Sequence, residues 1–213
     1  MKNIFFEPRV GANYESKGFN GIKLLILGES HYCNDGCEDC GNLIHTECRN
    51  FTNTVFNRYI EYKSGEGEFE YWMNTYTKFS NILFEKKLDI SELEKFWDSV
   101  IFYNYVQSAT EEMRVSPSEE QFERSLDAFI EVLEEYKPDL IIVWGARLWE
   151  MLPDIGRKGE ENVLDNGNGQ FYYFKVGDKE IPAYSIYHPS SSSFSYEHSK
   201  YLKEAIRLVS LTK

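Results

Sequence analysis

Three apolar runs in this chain end in residues able to do chemistry together. Ile22 to Leu27 runs into Gly28-Glu29-Ser30-His31-Tyr32, Val100 to Tyr103 ends at Asn104, and Ile181 to Tyr187 runs into His188-Pro189-Ser190. An asparagine amide has one donor side and one acceptor side, so Asn104 can pair with the imide edge of a heterocycle. A histidine on a fixed loop can donate to an oxygen on which negative charge develops, which is the use assigned to His188; its plainer use is to cap nearby backbone. Glu29 is the ionisable residue best placed to position water, although a loop carboxylate can also simply hold a backbone amide. Ser30 can help place water but cannot act as a base at neutral pH.

These residues share a crevice only if the runs are parallel strands of one sheet, because open α/β sheets bind ligands outside the carboxyl ends of their strands. The pattern predicts such a sheet. Gly21 to Leu27 is almost continuously apolar, as a strand covered on both faces should be, and Val100–Asn104 and Asp139–Trp144 read the same way. Phe51–Tyr62 and Tyr71–Lys87 read as helices parted by Gly65-Glu66-Gly67. A further helix starts with Ser116 as N-cap, Pro117 in first position and Glu119 closing a capping box. Its apolar face is Phe122, Leu126, Phe129, Ile130 and Leu133, and Pro138 separates it from the third strand. Gly145 opens a short helix through Leu152. Phe171–Val176 and Ile181–Tyr187 flank Gly177-Asp178 as a hairpin, and Tyr196–Leu208 closes the chain as a helix. The expected fold is α/β, a three-layer sandwich around a central, mostly parallel four-stranded sheet, with Asn104 on a strand neighbouring the one that feeds His188.

The order of motifs resembles that of the uracil-DNA glycosylase superfamily from Leu24 to about Ser193. Members carry G-Q-D-P-Y, G-E-A-P-G or G-x-N-P-G after the first strand and H-P-S or H-P-A after the last. Here the matching loops are Gly28 to Tyr32 and His188-Pro189-Ser190. The stretch between is similar to the iron-sulfur branch, whose asparagine strand precedes N-R-x-P-x-x-E-E and P-x-x-I-x-x-L-G-A. Its counterparts are Asn104, Arg114 to Glu120, and Pro138 to Ala146.

The resemblance implies a DNA glycosylase of base excision repair, a hydrolase acting on the N-glycosyl bond of uracil or a related damaged base in DNA, needing no cofactor for the reaction. It implies that Asn104 reads the extruded base, that His188 stabilises the departing anion, and that Gly28 and Ser190 belong to the substrate-binding loops. Two motif residues are changed: Ser30 stands in place of aspartate and His31 in place of proline, while Glu29 matches the glutamate of G-E-A-P-G. Tyr32 matches the tyrosine that blocks the methyl group of thymine; ordinary packing over the crevice is its other role. Phe51, after Arg49-Asn50, is placed like an aromatic residue that stacks on the base, or else starts the core of its helix. In Ser190 to Phe194 only Phe194 can serve as the apolar wedge that fills the gap left by a flipped nucleotide; the serines otherwise form a plain polar loop. The alternative is a non-catalytic protein that keeps the fold and binds a nucleotide or nucleic acid.

All four cysteines, Cys33, Cys37, Cys40 and Cys48, lie close together with His45 among them. Such a cluster in a cytosolic protein points to metal more than to disulfides, so a structural zinc, an iron-sulfur cluster and unbound thiols are the alternatives. The spacing differs from that of the superfamily's iron-sulfur cysteines, so that cluster does not carry over. The segment reads as a cysteine-rich insertion at about 33–48 in one domain spanning 1–213.

The formal net charge of -12 argues against a broad phosphate-binding surface and confines any DNA contact to a local one. With 42% hydrophobic and 16% aromatic residues the chain has the composition of a folded globular protein. No apolar run approaches the roughly 20 residues of a membrane span, and the N-terminus lacks a signal-like apolar stretch. A cytoplasmic protein is expected, with no membrane partner and an oligomeric state the sequence leaves open.

Overall fold

Leu24–Gly28, Val100–Asn104 and Leu140–Trp144 are buried at every position, and they form three adjacent parallel strands. In the computed structural model, which describes residues 2–33, 40, 48–112, 115–160 and 170–212, the described strands are β1 (Arg9–Val10), β2 (Leu24–Gly28), β3 (Val100–Asn104), β4 (Leu140–Trp144), β5 (Gly156–Lys158), β6 (Tyr172–Val176) and β7 (Lys179–Ile186). The helices are α1 (Phe51–Ser64), α2 (Met73–Phe84), α3 (Ile90–Trp97), α4 (Glu119–Arg124), α5 (Leu126–Tyr136), α6 (Ala146–Met151) and α7 (Ser199–Ser210).

The strands form one seven-stranded sheet in the order β1-β3-β2-β4-β7-β6-β5. Its centre, β3-β2-β4-β7, is parallel and consists of the four strands expected from the sequence; β1, β6 and β5 add antiparallel edges. The sheet is therefore wider than the four strands expected. The two outermost strands have only two and three residues, too few for an alternation to register. Successive side chains of a strand point to opposite faces. Leu24, Ile26, Val100, Phe102, Leu140 and Ile142 pack on one side with α1, α2, α3 and α7. Leu25, Leu27, Ile101, Tyr103, Ile141 and Val143 pack on the other with α5 and α6.

β2 begins at Leu24, inside the Gly21–Leu27 run expected as a strand, because Phe19 and Ile22 close a tight turn around Asn20 and Gly21, both at positive φ. The helix cap expected at Ser116 lies at Ser118, whose side chain accepts from the Gln121 amide while Gln121 returns the bond. The helix beyond it breaks at Ser125, whose hydroxyl donates to the Gln121 carbonyl and accepts the Gln107 amide. As a result Ala128 and Val132, rather than Leu126 and Ile130, join Phe129 and Leu133 in the core. α3 was not anticipated, although Asp89 and Glu92 form a capping box at its start. No helix among the described residues is long and apolar enough to cross a membrane.

Candidate functional site

A cleft of about 750 Å³ opens at the carboxyl ends of β2, β3, β4 and β7. Gly28, Glu29, Ser30, Tyr32, Phe51, Asn104, His188 and Ser190 line it, so eight of the nine residues proposed for substrate and chemistry meet there. Aromatic residues that the sequence did not single out, including Trp72, Tyr76 and Trp144, complete its walls. Such walls suit a flat ring.

Phe194 is the exception. It is 1% exposed, stacks on Phe79 at 6.5 Å between ring centres, and belongs to the core beneath α2 and α7. A side chain so enclosed cannot enter a base stack. Pro189 and the serines turn the chain so that Ser191 donates its amide to the His188 carbonyl. Lys78 then ties the Ser191 carbonyl to α2.

Asn104 and His188 are not on neighbouring strands. β2 and β4 lie between β3 and β7, so three strand spacings of about 4.8 Å, roughly 14 Å in all, separate them. Asn104 leans across the end of β2 because Gly28, its register partner, has no side chain. A Cβ on Gly28 would overlap Asn104 Oδ1 and lie 3.0 Å from Phe102 Cζ.

Behind Asn104 the structure places His31, which the sequence had marked only as a departure from a motif. Asn104 Nδ2 lies almost equally far from both ring nitrogens of His31, 3.2 Å from Nδ1 and 3.3 Å from Nε2, and His31 Nε2 lies 3.0 Å from Thr52 Oγ1. The imidazole is held edge-on between Phe6 and Phe51. Burial pushes its pKa down to about 3, so the ring is neutral at physiological pH. Part of Phe51 thus supports His31 as well as facing the cleft.

His188 sits at the opposite side. The Ser190 amide donates to His188 Nδ1 at 3.2 Å, and the Ser190 hydroxyl lies 2.7 Å from the same nitrogen. An amide can only donate, so Nδ1 carries the lone pair and a neutral His188 holds its proton on Nε2. Burial lowers its pKa from 6.5; nearby Glu29 opposes that shift and Arg147 adds to it. Gly145 lies against the histidine and has φ 103°, a backbone state that side chains rarely adopt.

Glu29 is held by Arg147, the second residue of α6. Arg147 Nε donates to Glu29 Oε2 at 2.7 Å, Nη2 donates to Oε1, and Nη1 reaches Ser116. Ser116 is therefore a partner of this pair and not the expected helix cap. Each carboxylate oxygen keeps a second lone pair that can take a water. Arg147 was missed by sequence reasoning, although Gly145-Ala146-Arg147 follows a buried strand at its carboxyl end, where such residues are to be looked for. A second ion pair, Arg58 with Glu70, lies on the wall formed by α1 and the approach to α2, and the Trp72 indole donates to Glu70 at 3.0 Å. Next to it Tyr32 is half-buried, and its pKa is raised chiefly by burial.

Of the proposed metal ligands, Cys33, Cys40 and Cys48 are described, while Cys37 and His45 lie outside the described residues. Cys33 donates its amide to the Thr110 carbonyl at 2.9 Å, and Cys40 Sγ accepts the Ala109 amide at 3.1 Å. Cys33 and Cys40 thus abut the loop that follows Asn104. Comparison of the chain with protein-family models and with curated proteins finds no match.

Proposed function

We propose that the protein is a DNA glycosylase, a divergent relative of the uracil-DNA glycosylases, that hydrolyses the N-glycosidic bond of uracil or a related damaged base. The observation that carries this reading is that Asn104 and His188, on β3 and after β7, line one aromatic-walled cleft at the carboxyl ends of the parallel strands. In this reading the base enters flat between the aromatic walls and presents its imide edge to Asn104. As the C1′–N bond breaks, its electron pair stays with the base, and neutral His188 donates to the oxygen that gains charge. Water bonds to C1′ from a position set by Glu29, whose own orientation is fixed by Arg147, and the proton that this water sheds neutralises the departed base anion; Ser30 offers a further hydrogen bond. Tyr32 closes the wall beside the ring.

The fork from Arg147 to Glu29 also supports a second reading, a nucleotide or nucleic-acid binding protein of the same fold. Both oxygens of the Glu29 carboxylate are taken up by Arg147, and the hydroxyl of Ser30 does not act as a base at neutral pH. The two readings part in one experiment. The protein is incubated with single- and double-stranded oligonucleotides containing uracil, hypoxanthine or xanthine, and abasic sites are then cleaved with alkali. Glycosylase action gives strand breaks that vanish in Asn104→Ala and His188→Ala; binding without breaks on any substrate leaves the second reading.

The cysteine-rich segment is proposed to hold zinc or an iron-sulfur cluster through Cys33, Cys37, Cys40, Cys48 and His45, as a structural element beside the cleft. A backbone amide donated to sulfur, as at Cys40, suits a metal-bound thiolate. Elemental analysis and the absorption spectrum of the purified protein distinguish the two metals from unbound thiols.

A further inference from the structure

We propose that Tyr71, backed by Phe69, is a stacking platform at the mouth of the cleft for the base next to the one inside it, and that the nucleic acid it serves is single-stranded. The inference rests on the base-binding reading of the cleft given above.

Tyr71 lines the cleft and yet is 83% exposed, more than any other large hydrophobic side chain among the described residues. Phe69, 44% exposed, meets the Tyr71 ring edge-on with centres 5.5 Å apart, and Tyr62 lies 5.3 Å from Phe69 in turn. Inward from Tyr71 the wall continues with Trp72, Tyr76 and Trp144, whose successive ring centres are 5.9 Å apart. Single exposed aromatic residues are ordinary on a protein surface, but a contiguous row of them that leads into a pocket marks a binding surface.

The row rests on backbone tied at both ends. α1 stops at Gly65, with φ 90°, and the amides of Glu66 and Gly67 both donate to the Glu61 carbonyl. A Cβ on Gly67 would lie 2.8 Å from the Tyr62 nitrogen, so the connection passes close against the end of α1. At its other end Met73 and Asn74 donate their amides to the carbonyls of Glu70 and Tyr71, and the Glu70 side chain is taken by Arg58 and by the Trp72 indole. An aromatic ring presented from fixed backbone loses little freedom when a second ring stacks on it.

A nucleotide joined to one seated in the cleft must leave by the mouth, beside Tyr71. Phosphate is not the group recognised there: Glu66, Glu68 and Glu70 lie in the same connection, and Arg58 is paired with Glu70. In a chain of net charge -12, affinity for a strand at this edge has to come from ring faces, on which any base can stack. A base in a duplex stays paired within the helix and cannot turn to Tyr71, whereas a base of a single strand is free to do so. The enclosure of Phe194 agrees with this, because the ring that a duplex reader would need as a wedge is shut in the core.

The test uses the full-length protein and a 2′-fluoro-2′-deoxyuridine probe, whose fluorine destabilises positive charge at C1′ and so withstands cleavage. The probe is offered as the free nucleoside, in a single strand between two adenosines, in the same strand with abasic spacers in place of both adenosines, and in the adenosine-flanked duplex. Fluorescence anisotropy reads the strands and calorimetry the nucleoside. Wild-type protein is expected to hold the adenosine-flanked single strand about 5- to 100-fold more tightly than the abasic-flanked one, the worth of one base on an aromatic ring. Tyr71→Ala, at a position too exposed to disturb folding, removes that advantage and leaves affinity for the free nucleoside and for the duplex unchanged, while Tyr71→Trp keeps it. The loss is the same at about 50 and about 200 mM salt, since no phosphate contact is involved. A Tyr71→Ala protein that retains the advantage within about threefold, or a wild type that has none, overturns the platform while leaving the cleft reading intact. Equal losses on single strand and duplex, or a loss on the free nucleoside, overturn it as well. Failure of the wild type to bind the probe in any form overturns the reading of the cleft itself, and the inference with it.

Discussion

Replacing Phe194 by alanine separates a core residue from a DNA wedge. The ring is 1% exposed, stacks on Phe79 with planes 15° apart, lies 5.7 Å from the His198 ring, and has the Lys78 ammonium 6.0 Å from its centre. Truncating a phenylalanine enclosed in this way removes its transfer free energy and leaves a cavity, a combined loss of about 3 to 5 kcal/mol. In a chain of 213 residues each kcal/mol lowers the melting temperature by about 2 to 4 °C, so a fall of about 10 °C is expected. Urea unfolding followed by far-UV circular dichroism measures the first quantity and a thermal melt the second. Affinity for a uracil-containing duplex, read by fluorescence anisotropy well below the melting temperature, supplies the contrast, because a wedge spends its energy on DNA and little on folding. A stability loss below about 1 kcal/mol together with a large loss of duplex affinity would refute the placement of Phe194 in the core.

Other perturbations address the cleft. Gly28→Ala drives a methyl group into the Asn104 amide, and we expect base binding to weaken by at least about tenfold by calorimetry, a cost of about 1.4 kcal/mol; unchanged affinity would mean that Asn104 does not contact the ligand. Gly145→Ala forces an L-residue to φ 103° and is expected to cost about 1 to 3 kcal/mol in urea unfolding. For His188 the sign follows from burial: its pKa lies below 6.5, so the neutral form with Nε2–H prevails above that value and is lost as acid rises. Protonation puts a hydrogen on Nδ1 and so breaks the bond it accepts from the Ser190 amide; base binding should therefore change only below pH 6.5, and a transition centred above 6.5 would contradict the lowered pKa. Arg147→Met leaves Glu29 without its partner and should lower turnover more than base affinity, as separate measurements of kcat and binding would show.

The parallel centre of the sheet was legible because its strands are buried on both faces and so read as unbroken apolar runs; Leu24–Gly28, Val100–Asn104 and Leu140–Trp144 needed no partner to be recognised. The edges were not, since Arg9–Val10 and Gly156–Lys158 owe their extended form to neighbours in space. The same division holds at the cleft. Asn104, Glu29 and His188 were visible because each ends or follows an apolar run. Arg147 and His31 touch Glu29 and Asn104 from 118 and 73 positions away, a relation that spacing along the chain does not encode. Phe194 shows the reverse error: a large apolar residue after a polar run looks available, and only the approach of α2 and α7 shows that it is enclosed.

The missing side chain at position 28 ties that position to position 104. An asparagine can cross the end of β2 only over a glycine, and a glycine there leaves a void under any shorter residue at 104. Neither residue can be replaced to advantage alone, so the pair behaves as a single heritable unit, and among descendants of this chain a change at one position should open the way to a compensating change at the other. A paired library over positions 28 and 104 would read this out as epistasis, with single changes scoring worse than the best doubles.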